Sequence, residues 1–214
     1  ALVSPPKAKR VVREPLTVEQ AVEVIGADED GRWTFSLLTG TRQGEALGLQ
    51  WRDIDLESNT LRVERTLSRV PGQGLVYAEP KTQKSRRTFR LTDNMTDLLR
   101  HHKRQQRADS LRHGRTWSRT TPVVTNRKGA PRDTSNDAQR WKAALAAGHI
   151  ERHVTLHDAR HTAATLMINN EVDIAIVSSV LGHSSIATTA DIYGHVTGES
   201  ALLAMQKVEG ALSG

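Results

Sequence analysis

TGTRQGEALGLQWRDID, residues 39–55, is where the chain changes its periodicity, and that change sorts the rest into a helical frame around a small sheet. Ala46, Leu47 and Leu49 suit the packed side of a helix that follows the TGTRQG segment. Upstream, Thr17-Val-Glu-Gln20 has capping-box spacing and starts a short helix with Ala21, Val22 and Ile25 inward. A second helix is expected from about Asp30 to Leu38. Downstream, from about Thr60 to Leu91, the pattern becomes period two in TLRVERT, GLVYAEP and SRRTFRL, separated by Pro-Gly-Gln-Gly and a Pro-Lys-Thr-Gln-Lys turn. These runs predict a small three-stranded antiparallel sheet.

Beyond the sheet the pattern is helical again. A helix is predicted from Asp93 to about Ala108, then a polar loop around Val123-Val124. Further helices are expected at Asn136–Ala147, Leu156–Ile168 and Val172–Leu181, and a short one reaching Tyr193. In the Val172–Leu181 segment Ile176, Val177, Val180 and Leu181 are placed inward, with Gly182 as a C-terminal cap. The fold class is α+β, mainly α-helical. Residues 1–15, rich in proline and basic residues without periodicity, read as an interdomain linker. In the tail, 197–214, Ala204, Met205, Val208, Ala211 and Leu212 form one helical stripe that either caps its own domain or docks on a neighbouring protomer.

The chain has 214 residues and 37% hydrophobic content, enough for one large or two small domains with a real core. It has no cysteine, which removes disulfides and thiolate metal sites and fits a reducing cytosol. No stretch approaches a membrane span. Thirty Lys and Arg face 24 Asp and Glu, and the surplus is local: between Lys81 and Arg107 nine basic residues stand against Asp93 and Asp97. A run of this kind that begins in a strand points to a phosphate-facing surface, with Lys84, Arg86, Arg87 and Arg90 as the candidate DNA contacts.

Five places carry polar residues that packing explains poorly. Arg42 stands at a glycine-flanked helix start with Glu45 three positions on; the pair reads either as a surface ion pair or, given the glycines, as a place where backbone approaches a ligand. His157 and Arg160 share a helical face in HDARH, opposite Ala159, Ala163, Leu166 and Met167. His157 and His161, at i and i+4, also fit a metal pair with His183 as a third ligand. Against zinc, Asp rather than Glu follows His157, and Arg160 sets a fixed positive charge beside the cation. Leu181-Gly-His183, Tyr193 and the turn lysine Lys81 complete the set; a lone Tyr is ordinarily a core anchor and a turn Lys ordinarily solvated.

In this order the segments TGTRQGEALGLQWRDID (39–55), PKT (80–82), HDARHT (157–162), LGHSS (181–185) and DIYGHV (191–196) resemble the tyrosine recombinase, or phage-type integrase, family. The resemblance covers 17 to about 196, the family's catalytic domain, and sets the domain bounds at 16–196. It implies Arg42 and Arg160 as phosphate-clamping arginines, Lys81 as the strand-turn lysine, His157 and His183 as the two histidines and Tyr193 as nucleophile. Glu45 matches the acid that supports the first arginine, and His161 is a second supporting residue. Val124-Thr125 departs from the aromatic many members carry there. The family's N-terminal DNA-binding domains are expected to lie outside this chain. Further implications are double-stranded DNA recombination sites as substrate, a homotetramer on DNA, an accessory DNA-bending protein, no cofactor and no metal, and a bacterial cytoplasm close to the nucleoid.

Physical chemistry agrees with those roles. Tyr attack on a phosphodiester places extra negative charge on the non-bridging oxygens, which two guanidinium forks hold bidentately. A phenol is only about 0.1% ionised at pH 7, so Tyr193 needs a base, and His157 is the candidate. Lys81 would protonate the departing sugar oxygen as general acid. The phosphotyrosyl product conserves bond energy, so strand exchange needs no ATP. Alternatives are topoisomerase-like relaxation by the same chemistry, a non-catalytic DNA-binding module and, further off, a metal-dependent phosphohydrolase.

Overall fold

The computed structural model describes residues 14–28, 30–79, 86–183, 185–187, 189, 206 and 209. Its helices are α1 (Val18–Gly26), α2 (Arg32–Thr39), α3 (Gln43–Leu47), α4 (Asp93–Arg112), α5 (Thr134–Ala147), α6 (Leu156–Asn169) and α7 (Ile174–Leu181). The strands are β1 (Ile54–Asp55), β2 (Thr60–Val63), β3 (Thr66–Val70), β4 (Gly74–Ala78) and β5 (Arg87–Arg90). Lys81, Lys84 and Tyr193, the 1–13 part of the linker and the apolar stripe of the tail lie outside the described residues.

α1 begins where its capping box predicts: the Thr17 hydroxyl accepts the Gln20 backbone N–H at 3.2 Å and the Gln20 side-chain Oε1 accepts the Thr17 N–H at 3.2 Å. Its buried stripe is Ala21 and Val24, with Ile25 partly buried, while Val22, expected inward, is 60% exposed. The inward positions therefore follow i, i+3 and i+4, and Val22 falls just off that face. Ile176 is likewise outside at 55%, whereas Val177 and Leu181 are buried. Gly182 ends α7 at φ 66°, the left-handed cap expected of it.

The sheet departs from expectation. A three-stranded antiparallel sheet exists, but its order is β1-β2-β5, with Ile54–Asp55 as an unforeseen edge. The TLRVERT run divides at Glu64-Arg65: Thr60–Val63 pairs with Arg87–Arg90, and Thr66–Val70 pairs with Gly74–Ala78 in a separate hairpin. Arg65 bridges back to the buried Asp53 at that division. Gly72 and Gly74 hold positive φ at the hairpin turn, a conformation cheap only for glycine.

α2 stands between two cores. Its Trp33 and Leu37 join α1, α5, the Ile150–Val154 segment and Ala159 of α6, with Trp33 set edge-on to Trp141 at 5.2 Å between ring centres. Its Phe35 joins the second core, which β1, β2 and α4 build around Trp51, Leu61, Val63 and Leu99. Burying such Leu and Val side chains is worth about 1.5–3 kcal/mol each. A smaller core of Ala164, Val177 and Leu181 locks α7 onto α6. Among the described residues, no helix is long and apolar enough to cross a membrane.

Candidate active site

The C-terminus of α2, the start of α3, the middle of α6 and the end of α7 meet at one place. α2 stops at Gly40, φ 60°, whose N–H returns to the Ser36 carbonyl at 2.8 Å. The Gly40 carbonyl accepts Arg160 Nη1 at 2.7 Å across 120 residues of sequence. Arg160 is only 4% exposed, held among the small residues of α6. It therefore sits in the packing instead of on the charged, solvent-facing side that the helical pattern suggests.

Arg42 precedes α3 and Glu45 closes its first turn. Glu45 Oε2 accepts the Arg42 N–H at 3.0 Å, and Oε1 accepts Arg42 Nη1 at 2.9 Å. The pair is not a surface ion pair, because the Glu45 side chain is buried while Arg42 keeps 45% of its own exposed. Nη2 and Nε of Arg42 carry no hydrogen bond among the described residues, so an open fork faces outward on a fixed base. Burial alone would raise the Glu45 carboxyl; hydrogen bonding and charge from Arg87, then Arg42, outweigh it and hold the group below its ordinary 4.5.

The close approach made by the flanking glycines is to the protein itself, which corrects the ligand reading. A Cβ on Gly44 would stand 2.9 Å from the Leu67 carbonyl oxygen and one on Gly48 2.8 Å from that of Arg65. A Cβ on Gly40 would meet Leu181 Cδ2 at 2.4 Å. These glycines let α3 lie on the backbone of β3 and let α2 end against α7.

His183 follows the Gly182 cap. Its N–H donates to the Ser178 carbonyl at 3.0 Å and its Nδ1 lies 2.8 Å from the hydroxyl of buried Thr189. That engagement leaves Nε2 as the ring atom for a further partner. Burial, then the charges of Arg160, Arg42, His161 and Arg87 in that order, push His183 down from 6.5 to about 4. The ring is thus neutral at physiological pH. Charges from distant parts of the chain thus act together on one imidazole. His157 is exposed on α6 with its ring edge-on to that of His161, 4.7 Å between centres. Among the described residues no three His, Asp or Glu side chains converge as a metal would need.

Of the expected DNA contacts, Arg86 is exposed and pairs with Glu79 at 2.8 Å, and Arg90 is exposed beside buried-side Phe89. Arg87 behaves differently. Its side chain is 8% exposed; Nη2 donates to Glu45 Oε2 at 2.9 Å and Nε to the Val180 carbonyl at 2.9 Å. It ties β5, α3 and the C-terminus of α7 together and satisfies a carbonyl that the helix end leaves open. A cavity of about 320 Å³ lies beside it, between Arg86, Ser178, His183 and Ile186.

Sequence reasoning missed a second charged network. Arg32 and Asp137 form a fully buried pair at 3.0 Å; Arg132 bonds Asp30, and Gln43 donates to Asp137 Oδ2 at 3.1 Å and to the Thr134 carbonyl at 2.8 Å. It anchors the start of α3, and hence Arg42, to the first turn of α5. Its one legible signal is Arg32 preceding Trp33 and Phe35 on a helix that is otherwise inward-facing.

The model of the phage integrase family matches residues 19–200. A "tyrosine recombinase XerC-like" protein of Caldanaerobacter subterraneus subsp. tengcongensis is 35% identical over 169 residues, 74% of this chain and 43% of the relative. An integrase of Saccharopolyspora erythraea is 30% identical over 252 residues, 91% and 57% of the two chains. The chain thus spans about half the length of the curated relatives it matches. Among solved structures, the Tn1549 transposon integrase, in complex with a circular-intermediate DNA, superposes with a TM-score of 0.74 at 21% identity, covering 95% of this chain and 68% of that one. That likeness establishes the fold.

Proposed function

The chain belongs to the phage integrase family, and from that premise we propose that it is the catalytic domain of a site-specific DNA recombinase that cuts and rejoins strands through a 3'-phosphotyrosyl link. The observation that carries the reading is the joining of the cationic residues at one place: Arg42 and Arg87 share Glu45, Arg87 also holds the end of α7 that His183 follows, and Arg160 is fixed on Gly40, two residues before Arg42. Guanidinium groups gathered in this way repel one another, and a bound phosphodiester relieves that repulsion.

In the proposed reaction, Arg42 presents Nη2 and Nε, and Arg160 its guanidinium, to the two non-bridging oxygens. Neutral His183 hydrogen-bonds one of them through Nε2. Tyr193 Oη attacks phosphorus as His157 takes its proton; the bond from phosphorus to the 5' oxygen breaks, and Lys81 gives that oxygen a proton. Negative charge develops where the guanidinium groups already stand, so little reorganisation is needed in the transition state. A 5' hydroxyl of the same or a partner strand reverses the step. Glu45 and Arg87 fix Arg42 and the end of α7, and His161 supports His157. Arg86, Arg90 and Lys84 are assigned to DNA phosphates.

We extend the reading, on family resemblance, to residues 16–196 as the catalytic domain, 1–15 as a linker and 197–214 as a tail that either caps its own domain or docks on a neighbouring protomer. The substrate is duplex recombination sites, the working assembly a tetramer on DNA with an accessory DNA-bending protein, and the setting a bacterial cytoplasm. The test is a nicked suicide duplex incubated in EDTA and resolved on a denaturing gel. Wild type is expected to give a covalent adduct and Tyr193→Phe none. An adduct from the Phe variant, or a requirement for divalent metal, overturns the assignment.

A further inference from the structure

The basic run of α4 does not join the catalytic cations. Its Lys103 and Arg107 open instead into a cleft of about 540 Å³ that also receives Arg52, Arg62 and Arg119. Thr60 and Arg62 of β2 line this cleft beside β1, whereas Arg87 of β5 serves the catalytic centre. Val63 is the partner of Arg87 in the β2–β5 register, so Arg62, one residue away, and Arg87 project from opposite faces of the sheet.

The cleft is built, not incidental. Its floor is Trp51, 2% exposed, and Trp117. Both indole N–H groups donate to one acceptor, Gln106 Oε1, at 2.5 and 3.1 Å. The amide nitrogen of Gln106 is tied in turn to the carbonyls of Pro122 and Val123 at 3.1 and 3.2 Å. The two rings are thus held rigidly. Lys103 Nζ sits 5.6 and 5.7 Å from their centres, and Arg107 Cζ lies 5.0 Å from that of Trp117. Arg52 and Arg119 are joined through backbone, Arg52 N–H to Arg119 carbonyl at 2.7 Å.

Charge decides the ligand. Among the described residues, none of Arg52, Arg62, Lys103, Arg107 and Arg119 forms an ion pair. Three carboxylates border the cleft against six basic side chains: Asp53 is buried against Arg65, Asp55 accepts the N–H groups of Glu57 and Ser58 and feels the charge of Arg62, and Glu57 is the third. With cations already covering the indoles, the cleft offers charge and N–H donors to a ligand's anionic oxygens more readily than ring faces for stacking. We propose that this cleft is a second phosphate-binding site, and that its occupant is the backbone of duplex DNA other than the segment being cleaved. The choice of DNA rests on the function proposed above; the anion site itself does not.

The test is the indole ¹H–¹⁵N spectrum of the whole chain, titrated with a short duplex that lacks any recombination site. Trp117 and Trp51 report the cleft; Trp33 and Trp141, in the other core, are internal references. Trp117 is expected to shift on adding duplex. Binding should weaken about 3.5-fold per engaged cation for a fourfold rise in salt. In Lys103→Gln/Arg107→Gln/Arg119→Gln the shift is lost while Trp33 and Trp141 keep their positions, showing an intact fold, and the suicide-substrate adduct still forms. A Trp117 signal that stays put in wild type, or moves as much in the triple variant, overturns the site. Saturation by inorganic tripolyphosphate or a polyglutamate peptide at concentrations where duplex has no effect overturns DNA as its occupant. Loss of the adduct in wild type with the Trp117 shift intact defeats the catalytic reading and leaves the anion site standing.

Discussion

Gly40→Ala strikes the joint on which the site is hung. Gly40 holds φ 60°, and a side chain there would meet Leu181 Cδ2 at 2.4 Å, Ala163 Cβ at 3.5 Å and Arg160 Cγ at 3.7 Å. A left-handed residue with a Cβ costs about 1–2 kcal/mol. Leu181 is fully buried, so its methyl group has no solvent to swing into, and forcing the extra carbon into that packing costs about 1–3 kcal/mol more. The two effects together amount to about 2–5 kcal/mol, or a fall in melting temperature of about 4–20 °C for a chain of this size. The assay is thermal unfolding followed by circular dichroism, paired with adduct formation at a temperature where the variant remains folded. Adduct yield should fall at least tenfold, because the carbonyl that holds Arg160 at 2.7 Å moves with the strained residue. Adding Leu181→Ala removes the clash but not the φ cost. The double variant should therefore be more stable than the two single losses combined, by about 1–3 kcal/mol. A Gly40→Ala protein that melts with wild type, or a cycle without coupling, would refute this account of the joint.

Glu45→Gln leaves Arg87 buried without its carboxylate and should cost about 3–5 kcal/mol in urea unfolding. Because Glu45 titrates below its ordinary value in the fold, its contribution is present above 4.5 and is lost as pH falls through the folded value; the Gln variant should lack that acid-side slope. Arg87→Lys keeps the charge but not the two-pronged geometry, and is expected to lower adduct yield while leaving the apparent affinity for nonspecific duplex nearly unchanged, as measured by filter retention. Arg160→Ala should abolish cleavage yet retain nonspecific duplex on the same filters, since the dispersed basic surface supplies most affinity; equal collapse of both would contradict that division of labour.

Helix starts were legible because their signals are local: the Thr17 box, and the hydroxyl of Thr92 accepting the Met95 N–H, need only four consecutive residues. Strand pairing was not. The alternation of TLRVERT runs on through Leu67, and nothing in it marks where Thr60–Val63 ends and Thr66–Val70, nearly all of it beyond that run, takes a different partner; Arg65 pairs with Asp53 at the division. Arg42 and His183 could be read from their motifs, yet Arg87 looked like one more cation in a basic run. Its strand turns it inward to Glu45 and Val180, and charge composition carries no information about which face of a strand a residue occupies. The same blindness hid the division of the run between β5, whose Arg87 turns to Glu45, and α4, whose Lys103 and Arg107 line a separate cleft. The Arg32–Asp137 pair joins residues 105 apart in sequence, beyond any local pattern.

The claim underlying all of this is that the guanidinium groups of Arg42, at the start of α3, and Arg160, of α6, act on His183 in one site that a phosphate anion fills. The most direct measurement is the NMR titration of His183 in free protein, in Arg160→Gln, and in Tyr193→Phe bound to a recombination-site duplex. The free protein should titrate near 4, and both the loss of Arg160 and the arrival of a phosphate should raise that midpoint toward 6.5. A midpoint already at 6.5, indifferent to Arg160 and to DNA, would mean that the cations do not converge there.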